Sequence, residues 1–284
     1  MLLASDILHK IENTTGISVT QYTAIARSGI SEVYGVHLAD GSYLVAKVGP
    51  LGSSLAVESY MLTYLRNRTR LPVPEVFYAD ERLLLMTYVL AGDHLNANAQ
   101  CHAAELLADL HETSAEAYGF ERDTLIGSLH QPNPFSHRWI DFFRDQRLLF
   151  MGTEAMRVGR LPLSLYSRLE KFAARLTTWL EESSVPSLIH GDVWSGNVLC
   201  RRGRIAAFID PAIYYADAEL AFSMLFGTFE TAFFRRYGEI RPLRPGFFEE
   251  RKDIYNLYPL LVHVRLFGGS YASSVDRILR QFGY

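Results

Sequence analysis

Residues 188–199 read LIHGDVWSGNVL, and this stretch carries the strongest signal for the fold and its chemistry. Asp192 lies five residues before Asn197, and a second acid, Asp210, follows the strand-like residues 205–209. Phosphoryl transfer needs such a set, because one carboxylate can take the proton of the acceptor hydroxyl while an amide and another carboxylate hold Mg²⁺. We therefore predict that Asp192 is the catalytic base and that Asn197 and Asp210 are the metal ligands.

The composition predicts a soluble, cytoplasmic protein with a large core. The chain has 284 residues, of which 49% are hydrophobic, and this is enough for one large core or two lobes. Its net charge is −3 without a basic run, which predicts neither a nucleic-acid partner nor a membrane partner. The first ten residues lack the pattern of a signal peptide, and no segment approaches the ~20 apolar residues of a membrane helix.

The first part of the chain has the pattern of a short helix followed by β-hairpins. Helical spacing begins after Ser5, and strands are predicted at residues 19–22, 33–38 and 43–48, with an Asp40-Gly41 turn between the last two. A helix is predicted from residue 53 or 54 to about Arg66, and a second hairpin joins residues 75–78 to residues 83–86.

After Tyr88 the pattern becomes mostly helical, around one short β insert near residues 198–210. Helical periodicity occurs in residues 99–112, 137–153, 162–182, 217–237, 246–267 and 271–282. We therefore predict an α+β fold with a small β-rich N-terminal lobe, residues 1–89, and a larger helical C-terminal lobe, residues 90–284. The cleft between the lobes is the expected site.

Lys47 is the candidate for binding the nucleotide phosphates. It lies in the predicted strand Val45–Val48, which resembles the kinase strand whose lysine contacts the α and β phosphates. Glu58 is the only acid between Lys47 and Glu75, and it lies on the following helix. We predict a Lys47–Glu58 ion pair; the alternative is a surface lysine at a strand end.

Other parts of the smaller lobe are candidates for the remaining nucleotide contacts. The hairpin tip would cover the phosphates, although an ordinary turn is about as plausible an interpretation; its residues are Ser28, Gly29, Ile30 and Ser31. The lobe connection would bind the adenine edge through Met86, Tyr88 and Val89. The walls around the ring would be Val33, Ala46, Leu199 and Ile209, which are equally well interpreted as core residues.

Together these motifs resemble the fructosamine kinase (ketosamine 3-kinase) family, in the aminoglycoside phosphotransferase and choline kinase branch of the protein-kinase-like fold. The resemblance rests on HGDVWSGN at residues 190–197, IDPA at 209–212 and ELAFSMLFG at 219–227, and covers about residues 21–271. Residues 142–148 also resemble a family segment. The resemblance implies ATP- and Mg²⁺-dependent phosphorylation of the sugar 3-hydroxyl of a free or protein-bound ketosamine, which would promote deglycation.

Two residues are candidates for contact with the acceptor. Trp194 is the most specific feature of the resemblance, and its indole could cover a sugar face or a cationic amine, but a core position is about as plausible. Glu219 could hydrogen-bond the acceptor, or it could be an acid at a helix end. Arg144 and Arg147 are expected to pair with Asp141 and Asp145 within their helix.

Two alternatives to a ketosamine kinase follow from the same residues. One is another small-molecule kinase of this fold, with an aminoglycoside, choline or amino-alcohol acceptor. A cationic antibiotic favours an acidic C-terminal region, but residues 239–284 hold five acids and seven bases. The other is a nucleotide-binding pseudokinase, which the intact catalytic set disfavours. A regulated protein kinase is not expected, because Gly191 stands where protein kinases carry an arginine and residues 211–215 leave no room for a long activation loop.

Overall fold

The smaller lobe is built on a five-stranded antiparallel sheet in the order β1-β2-β3-β5-β4. The computed structural model describes residues 3–28, 30–182, 185–222 and 227–284. The elements of this lobe are α1 (Ser5–Thr15), β1 (Val19–Ser28), β2 (Ser31–Leu38), β3 (Tyr43–Val48), α2 (Leu55–Arg68), β4 (Val76–Ala79) and β5 (Leu83–Thr87). The predicted hairpins and both predicted helices are therefore present.

The two faces of β3 have different partners because side chains alternate along a strand. Ala46 packs with Ile7 and Ile11 of α1 on one face of the sheet. Val45 and Lys47 lie on the other face, toward α2 and the cleft between the lobes. The alternation of side chains thus places Lys47 on the cleft side of the sheet.

The larger lobe is mainly helical. Its helices are α3 (Ala97–Glu112), α4 (Trp139–Phe142), α5 (Phe150–Arg157), α6 (Leu163–Ala173), α7 (Thr231–Ile240), α8 (Lys252–Phe267) and α9 (Ser270–Gln281), and a π-helical stretch, Phe143–Leu149, joins α4 to α5. Short strands form antiparallel pairs: β6 (Thr124–Ile126) with β7 (Leu129–Gln131), β8 (Ser187–Ile189) with β11 (Tyr214–Ala216), and β9 (Val198–Arg201) with β10 (Arg204–Phe208).

The helix predicted over residues 217–237 does not begin where it was predicted. Among the described residues of this segment, 217–222 and 227–237, Ala218–Phe222 form a short 3-10 turn and α7 begins at Thr231. The side chains at its start have other partners: Asp217 accepts a hydrogen bond from the Glu219 backbone N–H, and both carboxylates bind Arg244. Side-chain bonds of this kind compete with helical backbone bonds. The same segment has aromatic residues at helical spacing, Phe222, Phe226, Phe229 and Phe233, which predicts a stripe in the core; Phe226 lies outside the described residues.

In the described ranges, no helix has both the length and the apolar composition that a bilayer crossing requires. The long helices α3 and α8 have 16 residues each, and they pack within the larger lobe.

Candidate active site

The loop between β8 and β9 carries the predicted base. Gly191 adopts a φ of +83°, and a Cβ atom there would lie 2.1 Å from the carbonyl oxygen of Ala212. The Ala212 N–H also donates to the carbonyl oxygen of His190 at 2.8 Å. Only glycine fits this left-handed conformation and close approach. The loop is thereby held against the segment that follows Asp210.

We expect Gly191→Ala to destabilise the protein by about 3 kcal/mol, because left-handed strain of roughly 1–2 kcal/mol adds to a clash that displaces the loop. Gly41→Ala is the matched control, since Gly41 has a similar φ of +86° but nothing within 4 Å of an added Cβ. Chemical denaturation of both variants measures the difference. Equal losses of stability would show that the contact with Ala212 is unimportant.

Asp192 and Asn197 are in direct contact. The Asn197 Nδ2 donates to Asp192 Oδ2 at 3.0 Å and to the Asp192 carbonyl oxygen at 2.9 Å. The Asn197 carbonyl oxygen accepts the Ile209 N–H at 3.0 Å, which brings Asp210 beside this pair. Because the amide nitrogen faces Asp192, the side-chain oxygen Oδ1 of Asn197 is the atom that can bind a cation.

The environment of Asp192 suits a base. Burial, and after it the charge of Asp210, raises the pKa of Asp192 to about 7, while the hydrogen bond from Asn197 opposes this shift. A carboxylate with such a pKa is matched to accepting a proton near neutral pH.

The same pKa predicts how the stability of the metal-free protein depends on pH. Folded Asp192 binds a proton between its ordinary pKa of 3.8 and about 7, where the unfolded chain does not. Its contribution to stability is therefore present at low pH and is lost as pH rises through about 7. We expect the unfolding free energy to fall more between pH 5 and 8 in the parent than in Asp192→Asn, as urea denaturation would show; identical slopes would contradict the raised pKa.

His190 supports the loop and is not a second base. Its ring is fully buried, 5.8 Å from the ring of Phe208, and burial lowers its pKa to about 4. A neutral imidazole can accept a hydrogen bond through Nδ1, which lies 3.4 Å from the Asp192 backbone N–H. The histidine therefore positions the residue that follows Gly191.

The predicted Lys47–Glu58 ion pair is confirmed. Lys47 Nζ lies 2.9 and 2.7 Å from the two carboxylate oxygens of Glu58, and 3.0 Å from Asp210 Oδ1. Burial lowers the pKa of Lys47, but the two carboxylates together raise it above its ordinary value, so the amine stays charged. Asp210 has a φ of +52°, an uncommon conformation for a residue with a side chain. Its carboxylate thus reaches the centre of the cleft from a strained backbone.

The oxygen atoms at this centre fit a magnesium ion. The Asn197 Oδ1 and the Asp210 carboxylate are hard oxygen donors, and Mg²⁺ in nucleotide sites takes only one or two such protein ligands. Within the described ranges, no cluster of three or more histidine, cysteine or acidic side chains forms a metal cage. The donor set therefore favours a cation shared with phosphates over a zinc site.

A cleft of about 690 Å³ connects these groups with the lobe junction. Most of the predicted nucleotide contacts line it: Val33, Lys47, Met86, Tyr88, Val89, Leu199 and Ile209. Ala46 does not, because it lies on the α1 face of the sheet, and Val45 lines the cleft instead. The prediction that Ala46 lines the ring site was therefore wrong. Neighbouring residues of a strand face opposite sides of the sheet, so the cleft-facing residue is the one before it.

The described residues of the predicted hairpin tip, Ile30 and Ser31, do not line the cleft. Ile25, Ala26 and Arg27 of β1 line the cleft, whereas Ile30 is exposed to solvent and Ser31 is buried. Gly29 and the side chain of Ser28 lie outside the described residues.

Trp194 lines the cleft, and its side chain is 45% exposed, which excludes the core alternative. The indole lies over Gly196, where a Cβ atom would be 2.4 Å from the ring. Glu219, in contrast, is buried and bound to Arg244 and Arg251, and it lines a separate cavity of about 260 Å³. The prediction that Glu219 contacts the acceptor is therefore not supported, since arginines already occupy its oxygens.

Two walls of the cleft were not predicted. The tip of the β6–β7 hairpin contributes Ile126 and Gly127, and α8 contributes a row of side chains that begins at Tyr258. Helical periodicity indicates α8 but does not distinguish a face toward a cleft from a face toward the core. The three-residue strands of the hairpin are too short for an alternation signal.

Arg147 does not form the predicted surface salt bridge; Arg144 does, with Asp141 and Asp145. Arg147 is fully buried, donates to Asn133 Oδ1 at 2.6 Å, and lies 3.8 Å from the ring centre of Tyr214. The π-helical stretch turns this side chain inward. Tyr214 lines the cleft, so the family-like residues 142–148 support the wall of the site from behind.

Comparisons with known proteins point to one family. The model of the fructosamine kinase family matches residues 3–283. A protein of Enterococcus faecium designated a ketoamine kinase is 36% identical over 217 residues, which are 74% of this chain and 76% of that protein. The crystal structure of a protein designated a fructosamine-3-kinase, from Thermobifida fusca YX-ER1, has a TM-score of 0.88 at 30% identity, with 98% of each chain covered.

A more distant structure shares the fold. A thermostable mutant of an aminoglycoside phosphotransferase, solved with AMP-PNP and hygromycin B, has a TM-score of 0.70 at 15% identity, with 98% of this chain and 99% of that chain covered. The predicted α+β, protein-kinase-like fold is thereby confirmed.

Proposed function

The chain belongs to the fructosamine kinase family and is a phosphotransferase, and we propose that it transfers the γ-phosphoryl group of Mg-ATP to the 3-hydroxyl of a ketosamine sugar. The proposal is supported mainly by the residues that line a single cleft. They include the ionisable set Lys47, Asp192 and Asp210 together with an exposed indole, Trp194. Charged groups of this kind perform phosphoryl transfer, and an exposed aromatic face suits a sugar acceptor.

The nucleotide half of the reaction is assigned to the smaller lobe and the lobe junction. Tyr88 and Val89 lie where an adenine edge can be bound, and the Lys47 amine, held by Glu58, is directed to the phosphates. Asn197 and Asp210 would hold Mg²⁺, which supplies charge neutralisation at the phosphates when bound. Because ATP is the proposed phosphoryl donor, we place the enzyme in the cytoplasm.

The acceptor half is assigned to Asp192 and Trp194. The Asp192 carboxylate accepts the proton of the attacking hydroxyl, and the hydrogen bond from Asn197 orients its second oxygen. The indole of Trp194 covers the sugar, so that the hydroxyl is presented to the base. Phosphorylation beside the keto carbon destabilises the sugar–amine adduct, whether free or protein-bound, and promotes its loss.

Measurement of ADP release tests the proposal directly. Ketosamines, aminoglycosides and choline are offered with Mg-ATP, and product regiochemistry is determined by NMR. Turnover of a ketosamine with a 3-phosphate product supports the assignment. Turnover of an aminoglycoside or choline alone would favour another kinase of this fold, and no turnover of any acceptor would favour a nucleotide-binding module.

We expect Trp194→Ala to raise the acceptor KM about ten-fold or more and to change the ATP KM little. Loss of one large apolar contact is worth about 1–3 kcal/mol, and each 1.4 kcal/mol is a factor of ten. Steady-state kinetics with each substrate varied measures both constants. Phe248→Ala is the control, since Phe248 is an exposed aromatic side chain outside the cleft lining. A normal acceptor KM with a weakened ATP KM would contradict the placement of Trp194.

A further inference from the structure

One face of α8 forms a continuous wall of the cleft. The side chains at positions i, i+1, i+4, i+5, i+8 and i+9 line it; we call this the α8 stripe, made of Tyr258, Pro259, Val262, His263, Leu266 and Phe267. Such spacing places residues on one side of a helix, and nine helical steps extend about 13 Å. The stripe therefore continues well past the catalytic groups.

Burial along the α8 stripe gives it a direction. Tyr258 and Val262 are 4% and 5% exposed, whereas Phe267 is 64% exposed. The inner end is on the side of the base, because Tyr258 and Asp192 line the same cleft; burial, and to a smaller extent the charge of Asp192, raises the pKa of Tyr258. The stripe thus leads from the reacting hydroxyl to open solvent, which is the path that an acceptor longer than its sugar must follow.

The α8 stripe carries no charged anchor. The arginine, lysine and acidic side chains of the described cleft lining are Arg27, Lys47, Asp192 and Asp210, all on other elements. Arg265, in the last turn of α8, is directed away from the stripe to Glu154, at 3.8 Å. His263 uses Nδ1 to bind the Pro259 carbonyl oxygen at 2.7 Å, and its ring packs against Tyr271, with 4.8 Å between ring centres.

We propose that the α8 stripe binds the amine substituent of the acceptor and selects an uncharged alkyl chain. This inference rests on the proposed function, since it concerns the part of a ketosamine beyond the sugar. The substituent lies against Val262 and Leu266 and reaches solvent beside Phe267. Removal of apolar surface from water supplies the affinity, and a charge close to the nitrogen would lose its hydration without gaining a partner.

A series of fructose adducts of methylamine, propylamine and hexylamine tests the proposal. The acceptor KM is expected to fall about two- to four-fold for each methylene that contacts the α8 stripe, since a buried methylene contributes about 0.8 kcal/mol. The glycine adduct, which is close in size to the propylamine adduct but carries a carboxylate, is expected to have a KM at least ten-fold higher than the propylamine adduct.

Variants locate the effect. Phe267→Ala removes an exposed side chain and is expected to fold normally and to reduce the gain from propyl to hexyl. Phe135→Ala is the matched control, because Phe135 is 66% exposed and lies outside the cleft lining. A KM independent of chain length would overturn the inference, as would a chain-length gain that is unchanged in Phe267→Ala. Failure of every adduct to react would instead overturn the proposed function itself.

Discussion

Asp192→Asn is expected to lower turnover by about 10²–10⁴, because the amide cannot accept the proton of the hydroxyl. The fold and Mg-ATP binding should be retained, because asparagine has nearly the same shape as aspartate. Two titratable neighbours in the described part of the chain, His190 and Asp210, cannot replace it. His190 is buried and neutral, with its pKa lowered to about 4, and Asp210 is bound to the Lys47 amine at 3.0 Å. The variant asparagine can still contact Asn197, so the loop geometry should persist.

Single-turnover measurement of phosphoryl transfer, with saturating acceptor and ATP, isolates this chemical step. Asp109→Asn is the control, since Asp109 is a half-exposed acid of α3 that pairs with Arg70 outside the cleft. Calorimetric titration with Mg-ATP shows whether nucleotide binding persists. Turnover of the Asp192→Asn variant close to that of the parent would exclude Asp192 as the base.

The centre of the site was predictable because its information is local in sequence. The spacing of Asp192 and Asn197 places both on one short loop, and the Ile209 N–H returns to the Asn197 carbonyl oxygen, so Asp210 must lie beside them. Glu58 was predictable by elimination, because no other acid lies between Lys47 and Glu75. Such pairs depend on element order and charge, which a sequence displays directly.

The rest of the site depends on contacts between distant segments. Ala46 and Val45 are neighbours on opposite faces of β3. Which face turns toward the cleft depends on the packing of α1 against the other face, and α1 is distant in the sequence. The sequence around Glu219 does not distinguish it from an exposed acid. In the structure its carboxylate is bound by Arg244 and Arg251, which follow the next helix in the chain. Sequence patterns indicate that such residues are buried or polar, but they do not identify the partner.

Asp210→Asn is expected to abolish the strengthening of ATP binding by Mg²⁺ and to lower turnover by about 10² or more. Metal contacts stabilise transferred charge by several kcal/mol, and each 1.36 kcal/mol is a factor of ten in rate. The fold should tolerate the change, because Asn adopts the left-handed region as readily as Asp, and Asp210 has a φ of +52°. Lys47 keeps its partner Glu58 at 2.7 Å.

Titration of ATP with and without Mg²⁺ measures this effect in the parent, in Asp210→Asn and in the Asp109→Asn control. The melting temperature in metal-free buffer should be close to that of the parent, since the substitution also removes the repulsion that Asp210 exerts on Asp192. A variant that melts normally and still binds ATP more tightly with Mg²⁺ would show that Asp210 is not a ligand.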